Sequence, residues 1–384
     1  MRDLDWTEPQ DAARDGTGAD GGGGNGGAEE MPRIRFTRRS LVASILFVVS
    51  VAAFLYFVLP KLLGLRETWN RIQHGNGWWL GVAALLEVMS FLGYIALFRG
   101  VFVRGGSRIG WRASYEITMA GLAATRLLAS AGAGGVALTA WALRRSGLEA
   151  RIVACRMIAF MALLYGVYMG VLVICGVGLY LGVFPGSNPF AITIIPAVFG
   201  AMVILIFLAV SLLPGDFDRL VNRWTHGGRL GRIAVHVAAA PAAAASGVRT
   251  AIDLVRGRNP QLLGAIAWWG FDIAVLWASF HAFGGSPPTA VVIMAYFIGT
   301  LGNTLPLPGG IGGVDGAMIG AFTAFGVPIQ LAVVAVLAYR GFAFWLPTLP
   351  GAIAYLQLRR TVSRWQDPAP PSAAGGTVAS ARAN

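Results

Sequence analysis

The sequence is poor in charge, in lysine and in residues that hold metals. Asp, Glu, Lys and Arg make up 12% of its 384 residues, about half the share in an ordinary soluble protein. That excludes a chain built mainly of solvated domains. Lys61 is its one lysine, and the preference for arginine reads as the mark of a GC-rich bacterial genome. The two cysteines, Cys155 and Cys175, fall in one apolar stretch. On a helix their spacing separates them by about 30 Å, which excludes a disulfide between them. His74, His226, His236 and His281 are scattered. With no metal-ligand spacing anywhere, neither a metal nor another cofactor is expected.

Apolar residues are what the chain has in abundance, at 56%. The net charge of +12 arrives as bursts of arginine between long apolar runs. Such bursts set membrane orientation, so nucleic acid is not an expected partner. Residues 1–39 form an acidic, glycine-rich tail ending in a basic juxtamembrane segment, and 361–384 form a second tail; neither can bury a core. The membrane domain is expected over 40–360.

Six apolar runs, 41–59, 78–98, 155–182, 190–213, 261–282 and 329–357, reach the roughly 20 residues that cross a bilayer. The first begins too far into the chain for a secretory signal and reads as an anchor. Arg33, Arg35, Arg38 and Arg39 precede it, and Arg359, Arg360 and Arg364 close the domain. Both termini are therefore expected in the cytoplasm, in a multi-pass protein of the inner membrane. Within the long loop 214–260, Phe217, Leu220, Val221 and Trp224 recur at helical spacing beside arginines, the pattern of an amphipathic helix on anionic lipid. A plain linker is the alternative.

Two further stretches are too short and too broken to span. ASYEITMAGLAATRLLASAGAGGVALTAWALRRSG and PPTAVVIMAYFIGTLGNTLPLPGGIGGVDGAMIGAFTAFGV each consist of two apolar halves around a glycine-rich break. Halves of that length predict re-entrant helical hairpins, and Pro306 and Pro308 forbid a continuous helix through the second break. The breaks also match one another. AGAGGV overlays GGIGGV, pairing Gly132 with Gly310, Gly134 with Gly312 and Gly135 with Gly313, while Gly309 opens the second run. The expected fold is all-α: six full spans plus two hairpins in an inverted repeat, an arrangement typical of transporters with a site at the breaks. Eight plain spans are the competing count.

Charged residues at membrane depth are costly and mark candidate sites. Arg340 lies inside the sixth span, where a substrate anion or an internal acid is the natural partner. Asp315 opens the second half of hairpin two, as a helix cap, a cation site or a partner of Arg340. Arg126 ends the first half of hairpin one and suits an anion contact. Glu87 and Asp272 sit mid-span in two helices that the repeat makes equivalent, as a coupling-ion site, a gate or partners of arginine. The glycine breaks themselves offer unsatisfied N–H groups to phosphate. Gly166 and Gly170 read as a helix-packing pair.

NTLPLPGGIGGVDGAMIGAF (303–322), followed by YRGFAFWLPTLPGAIAYLQLRR (339–360), resembles the lysylphosphatidylglycerol synthase transmembrane region family. This is the flippase-like domain of the multiple peptide resistance factor and of many stand-alone bacterial proteins. The resemblance implies a protein that handles phospholipids or lipid-linked anions, commonly by moving them between leaflets. It also implies membrane lipids, anionic ones, as the partners. Two departures stand out. Asp315 occupies a place where members often carry glutamate, and GGVAL (134–138) lacks the acid and the arginine that many members show in the first break. No soluble aminoacyl-transfer domain is expected, so an enzymatic activity is not. An intramembrane lipid-modifying enzyme and a scaffold for a separately encoded partner enzyme remain the alternatives.

Overall fold

The computed structural model describes residues 75–103, 109–127, 133–212, 229–304, 310 and 312–366. Among these the chain is helical, without a strand. In order come α1 (Gly77–Phe102), α2 (Trp111–Leu127), α3 (Ala133–Arg145), α4 (Ala150–Tyr180), α5 (Phe190–Ser211), α6 (Arg229–Arg256), α7 (Gly264–Ala282), α8 (Thr289–Thr300), α9 (Gly313–Ala324), α10 (Ile329–Arg340) and α11 (Leu346–Gln366). The first expected span, the 217–224 segment and both tails lie outside the described residues, as do Gly132, Pro306, Pro308 and Gly309.

Five helical stretches among the described residues are long and apolar enough to cross a bilayer. They are α1, α4, α5, α7 with its leading turn, and the continuous run Ile329–Trp365, matching the second to sixth expected spans. That last run is not uniform. Gly341–Trp345 is a π-helical turn between α10 and α11. Pro347 explains it: with no N–H to donate and a ring that crowds the carbonyl of Ala343, it widens the ladder at that point.

The two broken stretches fold back on themselves. In the first, a Cβ on Gly135 would lie 2.0 Å from Thr125 Oγ1 and 2.4 Å from Gly121 O, so α2 and α3 meet backbone to backbone. In the second, a Cβ on Gly302 would lie 2.5 Å from the carbonyl carbon of Gly313, and one on Gly299 would lie 2.7 Å from Met318 Cβ. Each hairpin therefore closes where only glycine fits. Among the described residues, a Cβ on Gly166 or Gly170 meets nothing within 4 Å. The tight helix contacts of α4 run through Gly176 instead, where a Cβ would lie 2.4 Å from Thr193 O of α5.

α1 and α7 lie antiparallel down the centre. Their contacts descend in register, from the Asn76 N–H donating to Ala282 O, through Trp79 on Trp277, to Ser90 Oγ donating to Trp268 O. Gly93 and Gly264 bring the backbones together, a Cβ on Gly264 falling 2.2 Å from Gly93 O. Each hairpin leans on a long helix from the other half of the sequence. Gly351 of α11 presses on Met119 and Ala123 of α2. Phe297 of α8 stacks at 4.4 Å on Tyr168 of α4, whose hydroxyl donates to Phe297 O. The largest apolar core, with Leu172, Leu276, Phe280, Phe297, Met318, Phe322 and Val336, surrounds the second hairpin. By contrast, α5 leaves Ile195, Val198, Leu205 and Ile206 more than half exposed, a surface that suits lipid rather than water.

Candidate functional site

Glu87 lies ten residues into α1, about 15 Å along it, which is near half the thickness of a bilayer core. The close packing of α1 on α7 turns it toward Asp272. Both are buried, at 1% and 7% exposure, and their carboxyl groups stand within electrostatic reach of each other. Two carboxylates so placed repel one another unless one of them holds a proton, so the pair is taken to carry one negative charge. Asp272 Oδ2 also accepts from the hydroxyl of Tyr339 at 3.0 Å and from that of Tyr296. Both phenols are buried, which fixes the carboxyl on α7 against α8 and α10.

The arginines stand beside this pair. Arg126, in the last turn of α2, is within electrostatic reach of Glu87, Asp272, Tyr339 and Arg340, and its guanidinium lies 5.9 Å from the Phe91 ring. Arg340, next in sequence to Tyr339, places Nε 2.8 Å from Asp315 Oδ1. That distance makes an ion pair without the angle of a hydrogen bond. The π-turn that follows sets Phe344 under the same guanidinium, 5.2 Å away. The other oxygen, Asp315 Oδ2, accepts the Gly312 N–H at 2.8 Å and caps α9. Gly310 and Gly312 take φ of 64° and 85°, which glycine adopts without strain. Asp315 thus acts both as the cap and as the partner of Arg340 that its position in the sequence suggested.

All five charged residues singled out in the sequence converge, although they span α1, α2, α7, α9 and α10. Their charges balance. Arg126 and Arg340 give two positive charges, Asp315 gives one negative, and the Glu87–Asp272 pair gives another. Three buried atoms in the cluster have no hydrogen-bond partner among the described residues: Asp315 Oδ1, which Arg340 meets as an ion pair, and two others, Glu87 Oε2, an acceptor, and Arg126 Nη1, a donor. Native structures rarely leave buried polar atoms unsatisfied, and a group that brings a proton to Glu87 and an oxygen to Arg126 would complete the set. Among the described residues no cluster of His, Cys, Asp and Glu suits a metal ion.

Sequence reading missed the two tyrosines on Asp272. Tyr339 lies within the quoted Tyr-Arg run, but nothing in the spacing assigns its hydroxyl to α7. Glu116 was missed as well. It is fully buried, accepts from Arg112 Nε at 2.9 Å and from Thr361 Oγ1 at 2.5 Å, and ties α2 to α11; the only available signal was the i, i+4 spacing of Arg112 and Glu116. Because Asp272 holds both phenols, Tyr296→Phe or Tyr339→Phe is expected to destabilise the protein by about 1–3 kcal/mol. Thermal unfolding of the detergent-purified protein measures this, and unchanged midpoints for both variants would show that the hydroxyls do not hold Asp272.

The chain matches the lysylphosphatidylglycerol synthase TM region over residues 41–351. A UPF0104 membrane protein of Methanothermobacter thermautotrophicus is 25% identical over 339 residues, 83% of this chain and 96% of that protein. A further match to a UPF0104 membrane protein of the same organism is 34% identical over 91 residues, 23% of this chain and 26% of the relative. One from Methanocaldococcus jannaschii is 34% identical over 95 residues, 24% of this chain and 28% of the relative. Those two matches span about a quarter of each relative's length. The family match covers most of the chain and takes in all five charged residues of the cluster: the chain belongs to the lysylphosphatidylglycerol synthase TM region family.

Proposed function

We propose that this membrane protein binds the anionic headgroup of a phospholipid or lipid-linked substrate at the convergence of its two hairpins and moves it between leaflets. The observation that carries the reading is the charge cluster: Glu87 and Asp272 from the middle of two helices meet Arg126, Asp315 and Arg340 from the ends of three others. Charges so placed cost roughly 2.5–3.5 kcal/mol each when uncompensated, and a fold keeps them where they act. The glycine closures at Gly135 and Gly302, the antiparallel α1–α7 pair and the leaning of each hairpin on the opposite half all support an inverted repeat. In this reading α2–α3 and α8–α9 are re-entrant, both termini are cytoplasmic, and the membrane is a bacterial inner membrane.

The test is reconstitution into vesicles with a trace of fluorescent phosphatidylglycerol. The protein is expected to speed its passage between leaflets well beyond protein-free vesicles. Formation of a modified lipid from an activated donor would favour the enzyme instead. Neither movement nor product would favour a scaffold for a separate enzyme. Re-entry has its own test at Ser130, in the first break and outside the described residues. On a background without Cys155 and Cys175, Ser130→Cys is expected to resist an impermeant thiol reagent added outside. Rapid labelling from that side would establish eight spans.

A further inference from the structure

Apart from Asp315 Oδ1, which Arg340 neutralises, the cluster's unbonded buried atoms are of opposite kind. Glu87 Oε2 lacks a donor and Arg126 Nη1 lacks an acceptor, and both are buried. A proton neutralises the carboxyl that carries the first, and a phosphate oxygen accepts from the second. Charge links the two events. Without ligand the cluster is neutral: two guanidiniums, the Asp315 carboxylate and one negative charge on the Glu87–Asp272 pair. A phosphodiester anion alone would leave a net negative charge at membrane depth, whereas an anion and a proton entering together keep it neutral. Arg126 is the connecting group, since it lies within electrostatic reach of both carboxyls and of Arg340. Once an anion shares its charge, the carboxyl pair loses its counter-charge and holds a second proton more readily.

We propose that anion binding at this site is coupled to uptake of one proton by the Glu87–Asp272 pair, so that the lipid anion and a proton travel together. The inference rests on the anion-binding reading above. Among the described residues, the titratable or charged groups that act on the pair or on its neighbours come chiefly from helices other than α1. Asp272 comes from α7, Arg126 from α2, Tyr296 from α8, and Tyr339 and Arg340 from α10. Tyr94 of α1 stands near Arg126, with Tyr165 of α4 beside Tyr94, and the π-turn contributes no titratable side chain. The uptake needs no co-reactant: one proton leaves water and joins one carboxylate oxygen.

Calorimetry on the full chain in detergent tests this. Short-chain phosphatidylglycerol and, separately, inorganic phosphate are titrated in two buffers of different ionisation enthalpy. The difference between buffers reads the protons taken up per anion bound. About one proton per phosphatidylglycerol is expected, with affinity tightening by up to about tenfold for each unit that pH falls. Glu87→Gln/Asp272→Asn is expected to bind with no proton uptake and little pH dependence. The native-chain measurement stands whether or not that variant folds. Uptake on inorganic phosphate alone would keep the coupling and make the ligand a free anion. Binding without uptake in the native chain would overturn the coupling and leave the proposed function intact. Absence of binding by either probe would overturn both.

Discussion

Arg340→Ala protein is expected to insert and fold, yet to move anionic lipid more slowly by on the order of a hundredfold. The magnitude follows from the 2–5 kcal/mol typically lost when one member of a desolvated charge contact is truncated. Arg340→Lys is expected to recover only part of the rate, since an ammonium keeps the charge but loses the planar fork that grips phosphate with two N–H groups. Asp315→Asn should be milder, because an amide oxygen can still accept the Gly312 N–H and cap α9. A purely structural ion pair predicts a different pattern. Each single alanine variant would then lose about 3–5 kcal/mol of stability, and Arg340→Ala/Asp315→Ala would recover most of it. Transport rates in vesicles and unfolding midpoints, measured on the same four variants, separate the two.

The second large effect is steric. Gly135→Ala and Gly302→Ala are each expected to destabilise the protein by about 1–3 kcal/mol or more, because the added methyl would meet backbone atoms at 2.4 and 2.5 Å. Backbone cannot swing aside as the end of a side chain can, so the arms must part. Parting the first hairpin moves Arg126; parting the second moves Asp315. Both variants should therefore lose transport as well as stability. Gly166→Ala and Gly316→Ala are the controls, since a Cβ at either position meets nothing within 4 Å. They should be neutral or slightly stabilising, as alanine favours a helix more than glycine does. Equal behaviour of the two pairs in thermal unfolding would contradict the backbone-to-backbone closure.

The contrast between these glycines shows where sequence suffices. The hairpins were legible because half-length apolar segments flanking a glycine run admit few folds, and the charges were legible because each is costly at depth. Which glycines pack was not legible. Gly166 and Gly170 have the right spacing but face no neighbour among the described residues, while Gly93 and Gly264 meet from helices 171 residues apart in sequence. The same holds for Asp272. An arginine was one partner the sequence offered, and Arg126 does stand within electrostatic reach; the hydrogen bonds come instead from two phenols, brought in by the packing of α8 and α10 on α7. The π-turn after Arg340 depends on Pro347 within a helix that the apolar pattern reads as unbroken.

The central claim, that an anionic headgroup occupies the cluster between the hairpins, is most directly tested by where a lipid crosslinks. Purified protein in vesicles would be irradiated with phosphatidylglycerol carrying a photoreactive group on its headgroup, and the adducts mapped by mass spectrometry. Adducts are expected on peptides from α2, α9 and α10 around Arg126, Asp315 and Arg340. Excess unlabelled phosphatidylglycerol should suppress them and phosphatidylcholine should not. Adducts confined to lipid-facing surfaces such as Ile195–Ile206 of α5, and equally displaced by both lipids, would contradict the account.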